Sequence, residues 1–467
     1  MKIAFKKTYI LLFIVFLSIN SFSSFAKSNT SSHITIDVTN NFIANCKIDG
    51  KTDDYPALKS IMSYINSTST SATLIFPYTG STMLLSDTIY ITRSNVTFKI
   101  NCDISFTKSV YNKDNSMNVI EVGYSRYSRT PISNIQIIGN DIEINGNGNH
   151  LSFIETSNTK PNYGDIIHFR RVTNGKISGI ICNNAAENGI RIYMCQNIIV
   201  ENCEIKNTRI DNGLTVMGLP VYDENWYYND DTCNNNVIVR NCSSHNNEDV
   251  GFSASLCRNV LFDTCVSYEN GTATGFNAGG GFSHECLGFS TYYNEPNTWN
   301  GLTTFYNCNA YNNQNYGFYT DTNGTIINGC TIDTVIQNQS ETYGRTIYGG
   351  NGIYALSSKG AVSIIDTTIT NAESYAIVFS NSVPSIPSAL NIENITITNT
   401  AKGIYCSNTD TIIINKANFK NIPIAPLNFL DGSPKQTIYL KNFNTSNVGK
   451  MLIGNAKNII VDNSLEY

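Results

Sequence analysis

The chain has 467 residues, a formal net charge of −5 and only 14% charged residues. Residues 1–26 combine three lysines with an uncharged apolar run and end in Ser24-Phe25-Ala26, which is typical of an export signal cleaved after Ala26. Without this segment 28 Lys and Arg stand against 36 Asp and Glu, a net charge of −8. That charge gives no global reason to bind nucleic acid or an anionic membrane. We therefore expect a secreted or periplasmic monomer that binds neither.

The number of cysteines is uneven, which is unusual for an exported chain whose cysteines would pair in disulfides. Thirteen cysteines are present, although disulfides are permitted outside the cytoplasm. Many of them recur at one repeat position, as a stacked core column requires. We expect free buried thiols and no disulfides.

Two kinds of repeat run along the chain. Segments 195–203 and 257–265 align without gaps, and both end in a cysteine. A glycine followed by an alternating strand also recurs, with a basic interval of 24 residues between Gly189 and Gly213. Short strands at this period, separated by turn residues, predict an all-β fold: a single-stranded right-handed parallel β-helix over residues 71–467. Equal repeat positions then stack at about 4.8 Å into columns, and asparagines at the turns can form ladders.

Residues 27–70 form a different kind of segment before the repeats. Asp49-Gly-Lys-Thr-Asp-Asp54 precedes a stretch whose apolar residues fall on one helical face: Tyr55, Leu58, Ile61, Met62 and Ile65. Asp53 and Asp54 suit the start of this helix, where free amides accept a carboxylate. We expect the helix to cap the open N-terminal end of the solenoid.

This entry segment carries a family resemblance. Asp49-Gly-Lys-Thr-Asp-Asp54, the helix, Ile75-Phe-Pro77 and Thr88-Ile-Tyr-Ile91 resemble the pectate-lyase-like superfamily of right-handed β-helices over residues 34–105. That group includes lyases, glycoside hydrolases, epimerases and phage tailspikes. The resemblance implies the fold strongly and the reaction weakly. The export signal argues against a tailspike.

Three coil intervals are longer than 24 residues and so contain insertions near 219–235, 285–300 and 337–350. Aromatic side chains on long loops beside a rigid groove commonly hold sugar rings. The alternative is that they pack the loops onto the β-helix. The candidate sugar-binding residues here are Trp226, Tyr227, Tyr228, Trp299 and Arg345.

A column of carboxylates precedes the glycine strands. Glu187, Asp211 and Asp249 each lie two residues before their glycine on successive coils. As hard oxygen ligands they would hold calcium, the only cofactor that we predict. As a pair they would be the acid and base of a glycosidase. The third interpretation is three solvated turn acids.

Residues 248–284 resemble polysaccharide lyase family nine. The matching segments are Glu248-Asp-Val-Gly-Phe-Ser253, residues 260–271 and Gly279-Gly-Gly-Phe-Ser-His284. In that family aspartates hold calcium and a lysine removes the proton alpha to a uronate carboxyl. Here Asp249 keeps one acid, Val250 and Ser253 have lost acids, and Ser283 replaces the lysine. The resemblance therefore implies β-elimination but leaves the base to another group.

Other residues near this segment are candidates for that base and for substrate contacts. His284 and Glu285 follow directly, and both can accept a proton near neutral pH when tuned. Strand alternation would instead place His284 in the core, which favours Glu285. Arg191 is predicted to face outward, where it would either neutralise a substrate carboxylate or simply be a solvated surface arginine. Tyr319 and Asp321 are predicted to be outward on a later strand.

The sequence thus predicts a protein that depolymerises an acidic or substituted polysaccharide. β-Elimination is a slight first choice. Hydrolysis by a carboxylate pair drawn from Asp211, Glu248, Asp249 and Glu285 is nearly as well supported. The third alternative is a non-catalytic glycan-binding surface module or adhesin.

Overall fold

A computed structural model describes most of the chain. The described residues are 32–107, 118–123, 130–148, 164–218, 234–272, 279–285, 302–321, 324–337, 340–342, 345–347, 349–356, 360–380, 388–430, 437–454 and 459–462. Their strands pair in parallel from coil to coil, apart from one hairpin. The prediction of a parallel β-helix is confirmed.

The first sheet contributes one or two strands to each coil. Its strands are His33–Asp37, Ser71–Phe76, Met83–Leu85, Val96–Ile100, Ile104–Phe106, Ile132–Asn145, Val172–Asn183, Gln196–Glu201, Glu204–Lys206, Asn234–Arg240, Ser243–His245, Cys257–Asp263, Val266–Tyr268, Thr303–Tyr306, Asn309–Gln314, Thr325–Asn328, Thr331–Ile336, Gly360–Ile365, Thr368–Ala372, Ser388–Thr398, Thr411–Ile422, Thr437–Val448 and Ile459–Asp462.

The second sheet contributes one strand to each coil, and its strands pair in chain order. They are Ile89–Ile91, Ile120–Val122, Ile167–Arg170, Ile190–Tyr193, Leu214–Met217, Phe252–Ser255, Phe282–Glu285, Tyr316–Thr320, Asn351–Ala355, Tyr375–Ser380, Lys402–Ser407, Leu427–Leu430 and Leu452–Gly454. The antiparallel hairpin comprises Ser340–Thr342 and Arg345–Ile347, inside the third predicted insertion.

The interior is filled by aligned apolar columns. On the second sheet the rings of Phe252 and Phe282 stack at 5.1 Å, and those of Phe282 and Phe318 at 4.8 Å. All three side chains are fully buried or nearly so. Burying each such ring stabilises the fold by about 1.5–3 kcal/mol. Because every coil repeats the pattern, inward and outward positions alternate in a fixed register along each sheet.

Asparagine ladders mark the turns between strands, as predicted. Asn197 donates from Nδ2 to Oδ1 of Asn174 at 3.1 Å, and Asn236 donates to Asn197 at 3.1 Å. All three have a positive φ, the left-handed region that asparagine tolerates better than most residues. A second, buried ladder includes Asn247 and Asn270, joined at 2.8 Å.

The described cysteines are free and buried, as the sequence predicted; eleven lie within the described ranges. Successive coils repeat one contact. Cys265, Cys308 and Cys330 each donate from Sγ at 3.4 Å to a backbone carbonyl of the preceding coil. The thiols thus fill small core positions without bridging.

A helix, Tyr55–Ser67, precedes most of the strands. Its buried residues are Leu58, Ile61, Met62 and Ile65, as predicted, and they join the core. Asp53 accepts a hydrogen bond from the Tyr55 amide at 3.1 Å. Asp54 is the N-cap residue, as expected, but its carboxylate accepts hydrogen bonds from the amides of Lys47 and Ile48 and none from the first turn of the helix. The capping role of the helix stays a prediction.

Several predicted features fall outside the described residues. These are the export signal with its cleavage after Ala26, almost all of the first two insertions, and Trp226, Tyr227, Tyr228 and Trp299. Arg345 is described as part of a strand, but its side chain is not. Among the described residues no helix is long and apolar enough to cross a membrane.

Candidate active site on the second sheet

The register of the second sheet fixes one outward column of side chains. Each pair of neighbours in it is paired across adjacent strands: His168, Arg191, Thr215, Ser253, Ser283 and Tyr319. Arg191 and Tyr319 therefore lie on the predicted outward positions. Nevertheless the column from His168 to Ser283 is buried, and Tyr319 is half-buried.

Two of the three predicted column acids come together at Arg191. Nη2 of its guanidinium lies 3.1 Å from Glu187 Oε1 and 3.2 Å from Asp211 Oδ2. These two carboxylate oxygens, both on one guanidinium nitrogen, are therefore at most about 6 Å apart. Asp249 lies at the equivalent position of the next coil and is half-buried. Stacking of equal repeat positions thus does bring Glu187 and Asp211 together.

A group of buried polar side chains packs against Arg191 and its neighbours. Asp165 Oδ2 lies 2.9 Å from Nδ1 of His168 and 3.5 Å from Nε of Arg191. Its other oxygen accepts hydrogen bonds from the Asn188 backbone at 3.0 Å and side chain at 2.9 Å. Thr215 in turn donates to Oδ1 of Asn188 at 2.8 Å. The contact with Asp165 therefore orients the Arg191 side chain from its sheet-facing side.

The exposed fraction of these side chains increases from Asp165 to Asp211. The side chains of Asp165 and His168 are 0% exposed, and that of Arg191 is 7% exposed. Glu187 is 14% exposed and Asp211 29% exposed. The two acids that meet at Arg191 are thus the ones that a ligand can reach.

Burial and the local excess of acids separate the proton affinities of these groups. Burial, together with the negative charges of Asp165 and Asp211, raises the pKa of Glu187 to about 7 despite the Arg191 contact. Burial also acts to raise the pKa of Asp165, but Arg191, His168 and Asn188 outweigh it and lower that pKa to about 2. Two carboxyls of one cluster therefore differ in charge near neutral pH.

The column continues on the preceding coil with charges that the sequence analysis missed. Glu121 is paired with His168, and its Oε1 lies 3.8 Å from Nε of Arg170. The Arg170 guanidinium lies over the Tyr193 ring, 5.4 Å from its centroid. The glycine marker is absent here, because Ile166 takes the place that Gly189 has on the next coil. Asp165 and His168 were missed for the same reason.

The residues that resemble the lyase family form a different environment. Ser283 donates from Oγ to Oγ of Ser253 at 3.0 Å, and both are buried. His284 faces the interior, where Nδ1 lies 2.8 Å from Thr325 Oγ1 and burial lowers its pKa to about 3. The core interpretation of His284 therefore agrees with the structure. A neutral buried imidazole is poorly placed to act on an external substrate.

The remaining candidates lie around this cluster. Glu285 ends its strand, but its side chain is not described. Asp321 is half-buried one residue beyond the strand of Tyr319. Glu248 is half-buried near Arg209, and burial raises its pKa.

The calcium hypothesis finds no matching donor set within the described ranges. No group of three or more His, Cys, Asp or Glu there is arranged to hold a metal ion. Between Glu187 and Asp211 the positive charge is the guanidinium of Arg191. Ser253 supplies a hydroxyl where the resemblance calls for an acid.

Comparisons with known proteins bear on the fold. No family model and no curated protein matches the chain. Among solved structures, PfbA, a surface adhesin of Streptococcus pneumoniae, has a TM-score of 0.54 and 13% identity over 90% of this chain and 93% of that one. A family 28 exopolygalacturonase of Yersinia enterocolitica has a TM-score of 0.49 and 12% identity, covering 90% and 79%.

A third match is ORF18 of Geobacillus virus E2, with a TM-score of 0.48 and 13% identity. It covers 80% of this chain, which spans only 61% of the viral protein. At these identities the likeness to PfbA supports the solenoid fold alone.

Proposed function

We propose that this protein is an exported, carbohydrate-active enzyme that hydrolyses a glycosidic bond with Glu187 and Asp211. The observation that carries the proposal is the meeting of these two carboxylates at one guanidinium. The pKa of Glu187 is raised to about 7, so a large fraction of this carboxyl is still protonated near neutral pH. Glycoside hydrolysis requires such a protonated carboxyl beside an ionised one.

Glu187 and Asp211 have different roles in the proposed reaction. Glu187 donates its proton to the glycosidic oxygen while the bond from that oxygen to the anomeric carbon breaks. Asp211 either takes a proton from the water that attacks the anomeric carbon or attacks that carbon itself. The anomeric configuration of the first product distinguishes the two routes. Arg191 and Asp165 act as positioning residues, because they hold both carboxylates in place.

The balance of charge favours hydrolysis over β-elimination. Elimination from a uronate needs a cation for the substrate carboxyl and a base for the alpha proton. Here Arg191 is already engaged by Asp165, Glu187 and Asp211. Ser283 stands where the lyase resemblance calls for the lysine. A polyanion approaching this cluster would meet an excess of negative charge.

β-Elimination remains the second candidate, because the segment pattern of residues 248–284 resembles a lyase family and Glu187 ionises near neutral pH. A non-catalytic glycan-binding module is the third; the fold that this chain shares with an adhesin accommodates it.

A panel of neutral and uronic-acid polysaccharides tests all three. Hydrolysis yields new reducing ends without ultraviolet absorbance, and elimination yields an absorbing unsaturated end. A binder retains the polysaccharide and yields neither. We expect reducing ends alone, lost in Asp211→Asn. Unsaturated ends, or no product from any polysaccharide, would contradict the proposal.

Metal removal is a separate test of the site. Because the cation between the acids is Arg191, treatment with EDTA should leave both turnover and the thermal midpoint unchanged. Loss of either after chelation, with recovery on adding calcium, would restore the calcium hypothesis.

A further inference from the structure

A row of amide side chains, interrupted by Asp165, runs beside the acid pair. Asn118, Asp165, Asn188 and Asn212 hold equivalent positions on successive coils, each one residue before the marker glycine or its replacement. The Asn118 side chain accepts a hydrogen bond from the backbone N–H of Asp165 at 2.9 Å, and Asp165 accepts one from that of Asn188 at 3.0 Å. Asn212 accepts one from the backbone N–H of Val250 at 3.2 Å. Three of these side chains are thus anchored by the backbone of the next coil.

At Asn188 a hydroxyl reaches the side-chain carbonyl oxygen. Thr215 donates from Oγ1 to Asn188 Oδ1 at 2.8 Å, and both side chains are buried. The Thr215 oxygen accepts in turn from Nδ2 of Asn212 at 3.0 Å. A backbone N–H can only donate, so Val250 fixes which end of the Asn212 amide is the carbonyl. Because Thr215 accepts from Asn212, its single O–H proton is directed at Asn188.

The direction of this O–H bond decides which end of the Asn188 amide faces the acids. With its carbonyl oxygen on Thr215, Asn188 presents Nδ2 to Asp165 Oδ1 at 2.9 Å and to Asp211 Oδ2 at 3.4 Å. The reversed amide would place a carbonyl oxygen against two carboxylates and would lose both hydrogen bonds. The Thr215 hydroxyl therefore sets the amide orientation on which the contacts with the acids depend.

The amides of this network hold both oxygens of the Asp211 carboxylate. Asn212 donates from Nδ2 to Oδ1 at 2.9 Å, while Asn188 and Arg191 contact Oδ2. A carboxylate held at one oxygen can still turn about that contact, whereas one held at both oxygens cannot. A group misplaced by about 1 Å costs a reaction about 10²-fold in rate. The geometry of Asp211 thus depends on the two amides as well as on Arg191.

We propose that Thr215 is a positioning residue of this site, whose hydroxyl orients the Asn188 amide and thereby holds Asp211 in place for its step on the anomeric carbon or on the attacking water. Thr215 is 3% exposed, so it acts through Asn188 and Asn212 and does not touch the substrate. The inference rests on the proposed function and adds a residue to the same site.

Two substitutions in the full-length protein separate the hydroxyl of Thr215 from its methyl group. Thr215→Val keeps the branched shape and removes the hydroxyl, whereas Thr215→Ser keeps the hydroxyl and removes the methyl group. On the best polysaccharide of the panel, kcat should fall about 10- to 100-fold in Thr215→Val, with KM within about twofold of the wild type. Thr215→Ser should retain kcat within about threefold. Crystal structures should show the Asp211 carboxylate displaced by about 1 Å in Thr215→Val and in place in Thr215→Ser.

Ser267 on the first sheet provides the matched control. Its buried hydroxyl accepts from Nδ2 of Asn270 at 3.0 Å and donates to the Gly281 carbonyl at 2.8 Å, so it joins the same kinds of group as Thr215. Ser267→Ala should lower the thermal midpoint but leave kcat within about twofold of the wild type. Asn212→Ala, at a half-buried position, replaces Thr215→Val if that variant does not fold. It removes the donor to both Thr215 and Asp211 and should lower kcat by a similar factor.

Other outcomes overturn the positioning role of Thr215. These are wild-type kcat in Thr215→Val or Asn212→Ala, an equal loss of kcat in Thr215→Ser or Ser267→Ala, and a raised KM with unchanged kcat. An Asp211 carboxylate that has not moved in the Thr215→Val structure would overturn it as well, and that measurement needs no turnover. A wild type that hydrolyses no polysaccharide of the panel would refute the proposed reaction alone, since the structures still report whether Thr215 holds Asp211.

Discussion

Glu201 and Glu187 lie on different sheets of this solenoid, and each contacts an arginine, but the charged groups around the two ion pairs differ. Glu201, on the first sheet, contacts two cations: Lys176 at 2.6 Å and Arg240 at 2.8 Å. Burial alone would raise its pKa, but the two cations outweigh burial and lower it. Both cations are well exposed, at 39% and 45%. Glu201 is therefore an ionised member of a surface ion-pair network.

Glu187, on the second sheet, has the reverse balance. Among the described residues its cationic partner is Arg191, which is 7% exposed and also contacts Asp165 and Asp211. Burial then prevails, and the pKa of Glu187 rises to about 7. The ratio of cations to carboxylates and the access of water, not the presence of an ion pair, determine whether a glutamate is an ionised surface residue or an acid.

The largest effect expected from this difference is on catalysis. Glu187→Gln and Asp211→Asn should each lower kcat by a factor of about 10³ or more, since each removes a group that acts in the transition state. Glu201→Gln should leave kcat within twofold of the wild type. The measurement is release of reducing ends from the best polysaccharide of the panel. Wild-type rates in both site variants would refute the acid pair.

The next effect is on stability. Asp165→Asn removes a fully buried carboxylate that lies against His168 and Nε of Arg191, so both buried groups lose their negatively charged neighbour on that side. We expect a loss of about 3–5 kcal/mol in the free energy of unfolding, as for other broken buried pairs. Urea denaturation at pH 7 measures it, with Asp263→Asn on the first sheet as the surface control. A loss below about 1 kcal/mol would contradict this prediction, because it would mean that Asp165 stabilises the fold no more than an exposed ion pair does.

The fold could be predicted because a solenoid repeats one rule. Gly189 and Gly213 set the period, and the alternation of apolar residues between them sets the inward columns. From this register alone, Glu187 and Asp211 were predicted as neighbours and Arg191 as outward. Cysteines at one repeat position likewise predicted a column of free thiols.

The chemistry of the site could not be predicted, because it depends on charge contacts that the repeat does not encode. Asp165 and His168 belong to a coil in which Ile166 replaces the marker glycine, so the pattern missed them. The pattern also gave no sign that Arg191 is 7% exposed and shared by three acids. His284 shows where the rule does suffice, since strand alternation favoured the interior for it and the structure places it there.

The contrast between the glutamates also predicts how stability depends on pH. A carboxyl with a pKa near 4.5 when unfolded and about 7 when folded stabilises the fold fully below pH 4.5 and loses that contribution as the pH rises to 7. Glu187→Gln has no such proton to lose. Relative to the wild type, its free energy of unfolding should therefore rise by about 2–3 kcal/mol between pH 4.5 and 8. Urea titrations at several pH values measure this, and parallel profiles for the two proteins would contradict a raised pKa.

The smallest effect belongs to the first sheet. Glu201→Gln leaves Lys176 and Arg240 without their carboxylate, but both cations remain exposed enough for water to solvate them. We expect a loss of about 1 kcal/mol or less, decreasing as salt is added, because exposed ion pairs are weak and screened. Since the pKa of Glu201 is lowered by folding, this contribution should be present above pH 4.5 and fade as the pH falls below it. That slope is opposite in sign to the one expected for Glu187, so unfolding measured across the same pH range compares the two glutamates directly.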